Sequence, residues 1–250
     1  MKKKLLLIYI FLAFMISSKS QQDAMFTYYM FNSQSINPAY VGSKDVVNVT
    51  MLNRSQWTGF EGAPWSHTIS LSTPLINESL GFGLSFSNDV IGPSTLNNFT
   101  LDFAYHLKLN NPNHRLSMGV KVGGNHTRID LNSLELDDQN DPSFNVDNIG
   151  KFMPNYGFGL YYYTTKWYLG VSSPQLVNYD FNSSQRHYFV RAGAVFKITD
   201  NLKIRPSSFL KFTKNAASTL DLTGLLIFRD ETWAGFAFRA PVGIFVPTGS

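Results

Sequence analysis

The chain has 250 residues, 15% of them charged and 15% aromatic, with no cysteine and a mean hydropathy of −0.10. Without cysteine, disulfide frameworks, thiol catalysis and cysteine metal sites are excluded together. Four of the 21 basic residues (Lys2, Lys3, Lys4 and Lys19) lie in the first twenty positions, which leaves 17 to balance 17 acidic ones. The sequence pI of about 9.1 therefore carries no argument for nucleic acid.

Residues 1–20 read as a secretory signal: three lysines, an apolar run of 12 residues from Leu5 to Ile16, then Ser18 and Ser20 before Gln21. The run is too short to cross a bilayer as a helix, and no later apolar stretch approaches about 18 residues. Residues 21–44 form a second unit, opening QQDAMFTYYMFNSQSINPAYVGS. This segment is rich in aromatics and methionine, lacks strand alternation, and would be costly to leave in water. It is expected inside a barrel or against its periplasmic mouth, either as a stabilising plug or as a docking or gating element.

Residues 45–250 carry period-two alternation through segments of about 8–13 residues. Leu80, Phe82, Leu84 and Phe86 share one face and Gly81, Gly83, Ser85 and Ser87 the other. Phe99, Leu101, Phe103, Tyr105 and Leu107 oppose Thr100, Asp102, Ala104, His106 and Lys108. Leu116, Met118, Val120 and Val122 alternate with Ser117, Gly119, Lys121 and Gly123, and the pattern returns at 202–212 and 220–229. Connections are expected near 58–65, 75–79, 88–96, 110–114, 127–154, 164–165, 173–185, 199–201, 214–217 and 229–231. The odd-numbered ones are the longer of each neighbouring pair. Tight turns on one side and longer loops on the other are what a transmembrane β-barrel needs. The fold class is therefore all-β, an antiparallel transmembrane β-barrel of the outer membrane with about 11–12 strands. An odd count and a tail with only a short apolar piece (Val242, Ile244, Phe245, Val246) lead to the expectation of a barrel incomplete at its C-terminus.

A basic side chain on the lipid face near mid-membrane costs roughly 2–4 kcal/mol. The charged set Asp102, Lys108, Lys121, Arg191, Arg205, Lys211 and Asp221 is thus expected to face the lumen. Both signs are present, so these residues can pair and stiffen the interior, or they can filter a solute. Glycines on that face (Gly81, Gly83, Gly157, Gly159) allow tight curvature or close approach of something inside. Aromatics at segment ends, among them Trp57, Phe60, Trp65, Tyr161 to Tyr163, Trp167 and Tyr168, suit a membrane interface. Trp57 and Trp65 could instead form a sugar platform.

Motifs for chemistry are missing: there is no HExxH, GxSxG elbow, P-loop or placed GxGxxG. A barrel lipase would need a His–Ser pair, for which His67 with Ser66 or Ser70 is the candidate. Glu135, Asp137, Asp138, Asp141 and Asp147 sit close in one loop, but their spacing is not that of an EF-hand, and a solvated acidic loop is the simpler expectation. No catalytic residue, cofactor or metal is assigned.

The stretches QQDAMFTYYMFN…INPAYVGS and NRSQWTGFEGAPWSHTISLSTPL resemble the PorP/SprF family of type IX secretion system membrane proteins of Bacteroidota. So do GFGLSFSNDVIGPS, PNYGFGLYYYTTKWYLGVSSPQL and RHYFVRAGAVFKITDNLKIRPSSFLKF. The resemblance implies a non-enzymatic accessory of protein secretion and gliding motility in the cell outer membrane, surrounded by its lipid. Its implied partners are a secreted adhesin with a C-terminal sorting domain or a periplasmic peptidoglycan-associated component. Matching by motif implies partner-binding candidates Asn37, Pro38, Tyr40, Trp57, Phe60, Glu61 and Pro64, with Ala39, Gly59 and Gly62 also family-defining. Pro64 and the glycines would shape the first outer loop, and Glu61 would sit at its tip. A general or selective porin is the alternative, and it predicts conductance that changes when Lys121 or Arg205 is neutralised.

Overall fold

The computed structural model describes residues 32–75, 78–111, 113–130, 149–177, 186–213 and 218–242. The expected signal, the acidic loop residues Glu135 to Asp147 and the tail after Val242 lie outside these. A short helix α1 (Ser33–Ile36) and a 3-10 turn (Pro38–Tyr40) come first. There follow β1 (Asn48–Ser55), β2 (Trp65–Pro74), β3 (Leu80–Ile91), β4 (Ser94–Lys108), β5 (Arg115–Ile129) and β6 (Ile149–Tyr163). The remaining strands are β7 (Trp167–Ser173), β8 (His187–Ala194), β9 (Phe196–Lys197), β10 (Leu202–Thr213), β11 (Ser218–Phe228) and β12 (Thr232–Val242). No helix among the described residues is long and apolar enough to cross a membrane.

All strands join one antiparallel sheet in chain order, with two-residue β9 added at the side of β10. Two adjacent residues show that this sheet curls. Asn32 donates to Ser70 on β2 at 3.0 Å, while the hydroxyl of Ser33 accepts from Arg191 on β8. Six strand intervals separate β2 from β8, roughly 29 Å if flat at about 4.8 Å each. Consecutive Cα atoms are only about 3.8 Å apart. The wall must therefore wrap around the segment that both strands touch.

The curl does not close into the expected barrel. Among the described residues β1 pairs only with β2 and β12 only with β11. Among the described residues the paired path has eleven strands, so its two edge strands run in the same direction. Joining them would require a parallel pair in a sheet whose every other pair is antiparallel.

Burial is inverted relative to a soluble protein. Ser117 and Asp102 have no exposed surface and His106 has 1%, whereas Phe103 and Val120, on the opposite face of the same strands, keep 46% and 48%. Leu84, Phe86, Phe99, Tyr105, Met118, Val122, Phe158, Leu169 and Leu222 share that outer face. A continuous apolar exterior over a polar interior is the pattern of a strand-built membrane protein.

Two expected connections are corrected. Residues 88–96 are no long loop, because β3 and β4 run on to a two-residue turn at Gly92 and Pro93, with Asn88 bonded to Asn97 at 2.8 Å. Above the apolar band both faces of a hairpin can be wet, so alternation fades while the ladder continues. The 127–154 connection likewise loses both ends to strand, since β5 continues to Ile129 and β6 begins at Ile149.

Candidate functional site

Residues 32–43 lie on the concave face, and the sequence shapes them locally. Pro38 opens the 3-10 turn with its φ already fixed, and the Asn37 side chain accepts from Ala39 N at 2.9 Å, capping the turn. Ala39 and Val41 are completely buried.

Each strand from β2 to β8 supplies something to this seat. Gln34 donates to Asp102 at 3.0 Å, and Asp102 faces Lys121 across the β4–β5 ladder with their charged atoms 2.7 Å apart. Lys121 also reaches Gln34 O at 3.4 Å. Ser117 donates to Ala39 O and Ser172 to Ile36 O, both at 2.7 Å. Asn37 donates to Leu160 O, and Ser72 accepts from Gly42 N, each at 3.0 Å. His106 Nε2 lies 2.9 Å from Val41 O, so it must carry a proton there; in the neutral ring Nδ1 is then free to accept from Tyr163 at 3.2 Å. Ile36 joins Phe189 and Phe209, whose rings stack at 5.3 Å, in a small apolar cluster.

The inner glycines make the fit possible. A Cβ on Gly81 would collide with the Val41 carbonyl, on Gly83 with Gln34 and Val41, on Gly119 with Ala39, and on Gly159 with Asn37. Gly157 instead lies under Pro174.

At the mouth where the segment leads into β1, Arg115 bonds both Asp45 and Glu78 at 3.1 Å, and Lys108 lies 3.8 Å from Glu78. Lys108 is thus exposed at the rim, while Asp102, Lys121, Arg191, Lys211 and Asp221 are buried on the inner face. Arg205 shares the inward register of Lys211 and is half-buried. Asp221 pairs with Arg239 through two contacts of 2.7 Å.

The motif residues fall into two separate places. Asn37 and Pro38 are buried in the seat, and Tyr40 meets Tyr161 edge-on at 5.6 Å. Trp57, Phe60 and Glu61 are exposed on the 56–64 loop at the opposite end of the strands. That loop is ordered by Gln56 N to Pro64 O at 3.0 Å and by Gly92 N to Gly62 O at 3.0 Å. Trp57, Gly59 and Gly62 all take positive φ there.

Three interface aromatics are corrected. Tyr161, Tyr163 and Tyr168 point inward around Tyr40, because only Tyr162 and Trp167 have the outward parity of Leu160 and Leu169. The His–Ser pair of a lipase is also absent. His67 has outward parity against Trp65, with ring centres at 3.8 Å, while Ser66 and Ser70 face inward. No group of three or more potential metal ligands occurs among the described residues.

The family profile described as "Type IX secretion system membrane protein PorP/SprF" matches residues 18–249. The chain belongs to the PorP/SprF family. Comparison with curated proteins and with solved structures gives no match. Membership makes the chain a membrane component of type IX secretion, and the apolar exterior is the face such a component presents to lipid. In this PorP/SprF chain, sequence reasoning missed His106, Ser172 and Arg239 as contact residues. His106 and Ser172 had a signal, their inward parity; Arg239 had none beyond its own alternation in β12.

Proposed function

We propose that this PorP/SprF chain is an outer-membrane accessory of type IX secretion and gliding motility, and that it binds a secreted surface adhesin or a periplasmic machine component without covalent chemistry. On this reading residues 1–20 are the export signal, 21–44 a periplasmic or plug segment and 45–250 the transmembrane barrel domain, incomplete at its C-terminus. The observation that carries the reading is the pairing of an apolar exterior with an interior already occupied by polypeptide. Trp57 and Phe60, held out on an ordered loop, offer aromatic anchors of the kind that dominate protein interfaces. Glu61 stands between them and Pro64, and Pro64 fixes the loop's return.

The test is mass spectrometry of whatever copurifies from outer membranes in mild detergent. A large adhesin with a C-terminal sorting domain or a peptidoglycan-binding protein is the expected companion, and a lone barrel would sink the reading. The porin alternative predicts conductance in a planar bilayer that shifts with Lys121→Gln or Arg205→Gln. Occupation of the interior by residues 32–43 counts against it, and a silent bilayer would end it.

A further inference from the structure

Five contacts in the seat end on the main chain of residues 32–43. Ser117, Ser172, Lys121 and His106 address the carbonyls of Ala39, Ile36, Gln34 and Val41, and Ser72 accepts from the Gly42 amide. Gly81 and Gly119 add clearance for backbone that any Cβ would obstruct. Bonds to peptide groups and room for peptide groups are both indifferent to the occupant's side chains.

Side chains of the resident segment add bonds that an exchange would break: Asn32 to Ser70, Gln34 to Asp102, Asn37 to Leu160 O, and Arg191 to the Ser33 hydroxyl. The segment's buried apolar residues are Ile36, Ala39 and Val41, beside Pro38, while Asn32, Ser33, Gln34 and Asn37 are buried polar. A replacing polypeptide would remake the five main-chain bonds, so exchange costs less than opening the seat to water. At the mouth Arg115 bridges Asp45 and Glu78, whose side chains are 52% and 46% exposed, an ion network of the weak surface kind.

We propose that the inner wall is a track for polypeptide main chain, and that its partner is a segment of secreted polypeptide that takes the seat when residues 32–43 leave it. The inference rests on the secretion role proposed above and names what the interior recognises. The track selects weakly and in a defined way. One apolar side chain must fill the place of Ile36 beside Phe189 and Phe209, and three positions later a small residue must fit where Ala39 lies against Gly119.

The chain has no cysteine, so an introduced pair is its only thiol pair. Asn32→Cys with Ser70→Cys replaces two side chains that touch at 3.0 Å and, when oxidised, pins the segment in its seat. Adhesin display on cells carrying this variant is expected to fall at least tenfold on oxidation and to recover with reductant, while each single variant ignores the oxidant. Full display with the lock closed would overturn the inference. Should the reduced variant fail to assemble, Tyr40→Cys with Tyr161→Cys, bridged by a bifunctional maleimide, reads the same question at the other end of the segment. Removing the whole protein separates the two proposals. Display lost on removal but kept under the lock overturns the track alone, whereas display unaffected by removal overturns the secretion role with it.

Discussion

Strands β3–β6 and strands β10–β12 carry the same alternation, yet their inner faces meet different surroundings. In the first group Asp102, Ser117 and Lys121 are sealed beneath residues 32–43. In β12 every side chain retains exposed surface, including those in inward register with Asp221 and Thr223. Alternation thus decides which face a residue occupies, and its surroundings decide whether it is dry: Lys211, Asp221 and Thr223 on β10 and β11 are buried, while edge strand β12 is exposed along most of its length. Two ion pairs show the consequence. Lys121–Asp102 is buried on both sides, whereas the Arg239 side chain paired with Asp221 is 47% exposed.

Removing one member of each pair should separate the two pairs most strongly. Asp102→Ala leaves Lys121 uncompensated and Gln34 without its acceptor, for an expected loss of about 3–5 kcal/mol. Asp221→Ala frees an arginine that water can reach, for a loss of about 1 kcal/mol or less. Urea unfolding of the protein in detergent measures both. Equal losses would mean that the surroundings of the Asp221–Arg239 pair are as dry as those of Lys121–Asp102.

Shape gives the next largest contrast. A valine at Gly119 would drive its Cβ into the Ala39 backbone, where neither side can yield, and overpacking of this kind costs about 1–3 kcal/mol. Gly119→Val should leave the wall folded and make residues 32–43 sensitive to protease. Ala237→Val, exposed on β12 in register with Thr223, should change stability by no more than about 0.5 kcal/mol. An unchanged protease pattern in Gly119→Val would show that the seat adapts.

The wall was legible because period two is a local property. Phe99, Phe103 and Leu107 against Thr100, Asp102 and His106 needs no partner to be recognised, and the same parity places Lys121 inside. The seat was not legible, since its contacts join residues from 30 to 158 positions apart. Glycines at 81, 83 and 159 announced empty space without announcing Val41, Gln34 and Asn37 as the atoms that fill it. The tyrosines were misread for a different reason. Grouping Tyr161 to Tyr163 as one belt overlooked that consecutive strand residues must face opposite ways. The extended β3–β4 hairpin escaped because backbone pairing outlasts the apolar pattern where both faces are wet.

The smallest expected effect on stability belongs to the 56–64 loop, and it is the sharpest test of where partners bind. Trp57 and Phe60 are 72% and 76% exposed, so truncating either removes almost no buried area. Trp57 also holds φ at 50°, a left-handed conformation that Gly tolerates better than Trp, so Trp57→Gly relieves strain while deleting the ring. Phe60→Ala and Trp57→Gly should therefore unfold within about 0.5 kcal/mol of the parent. If the loop is the docking surface, the same two variants should lose most of the copurifying partner, because exposed aromatic anchors carry a disproportionate share of interface energy. Retention of the partner by both, together with its loss under the Asn32–Ser70 lock, would move recognition from the loop to the interior.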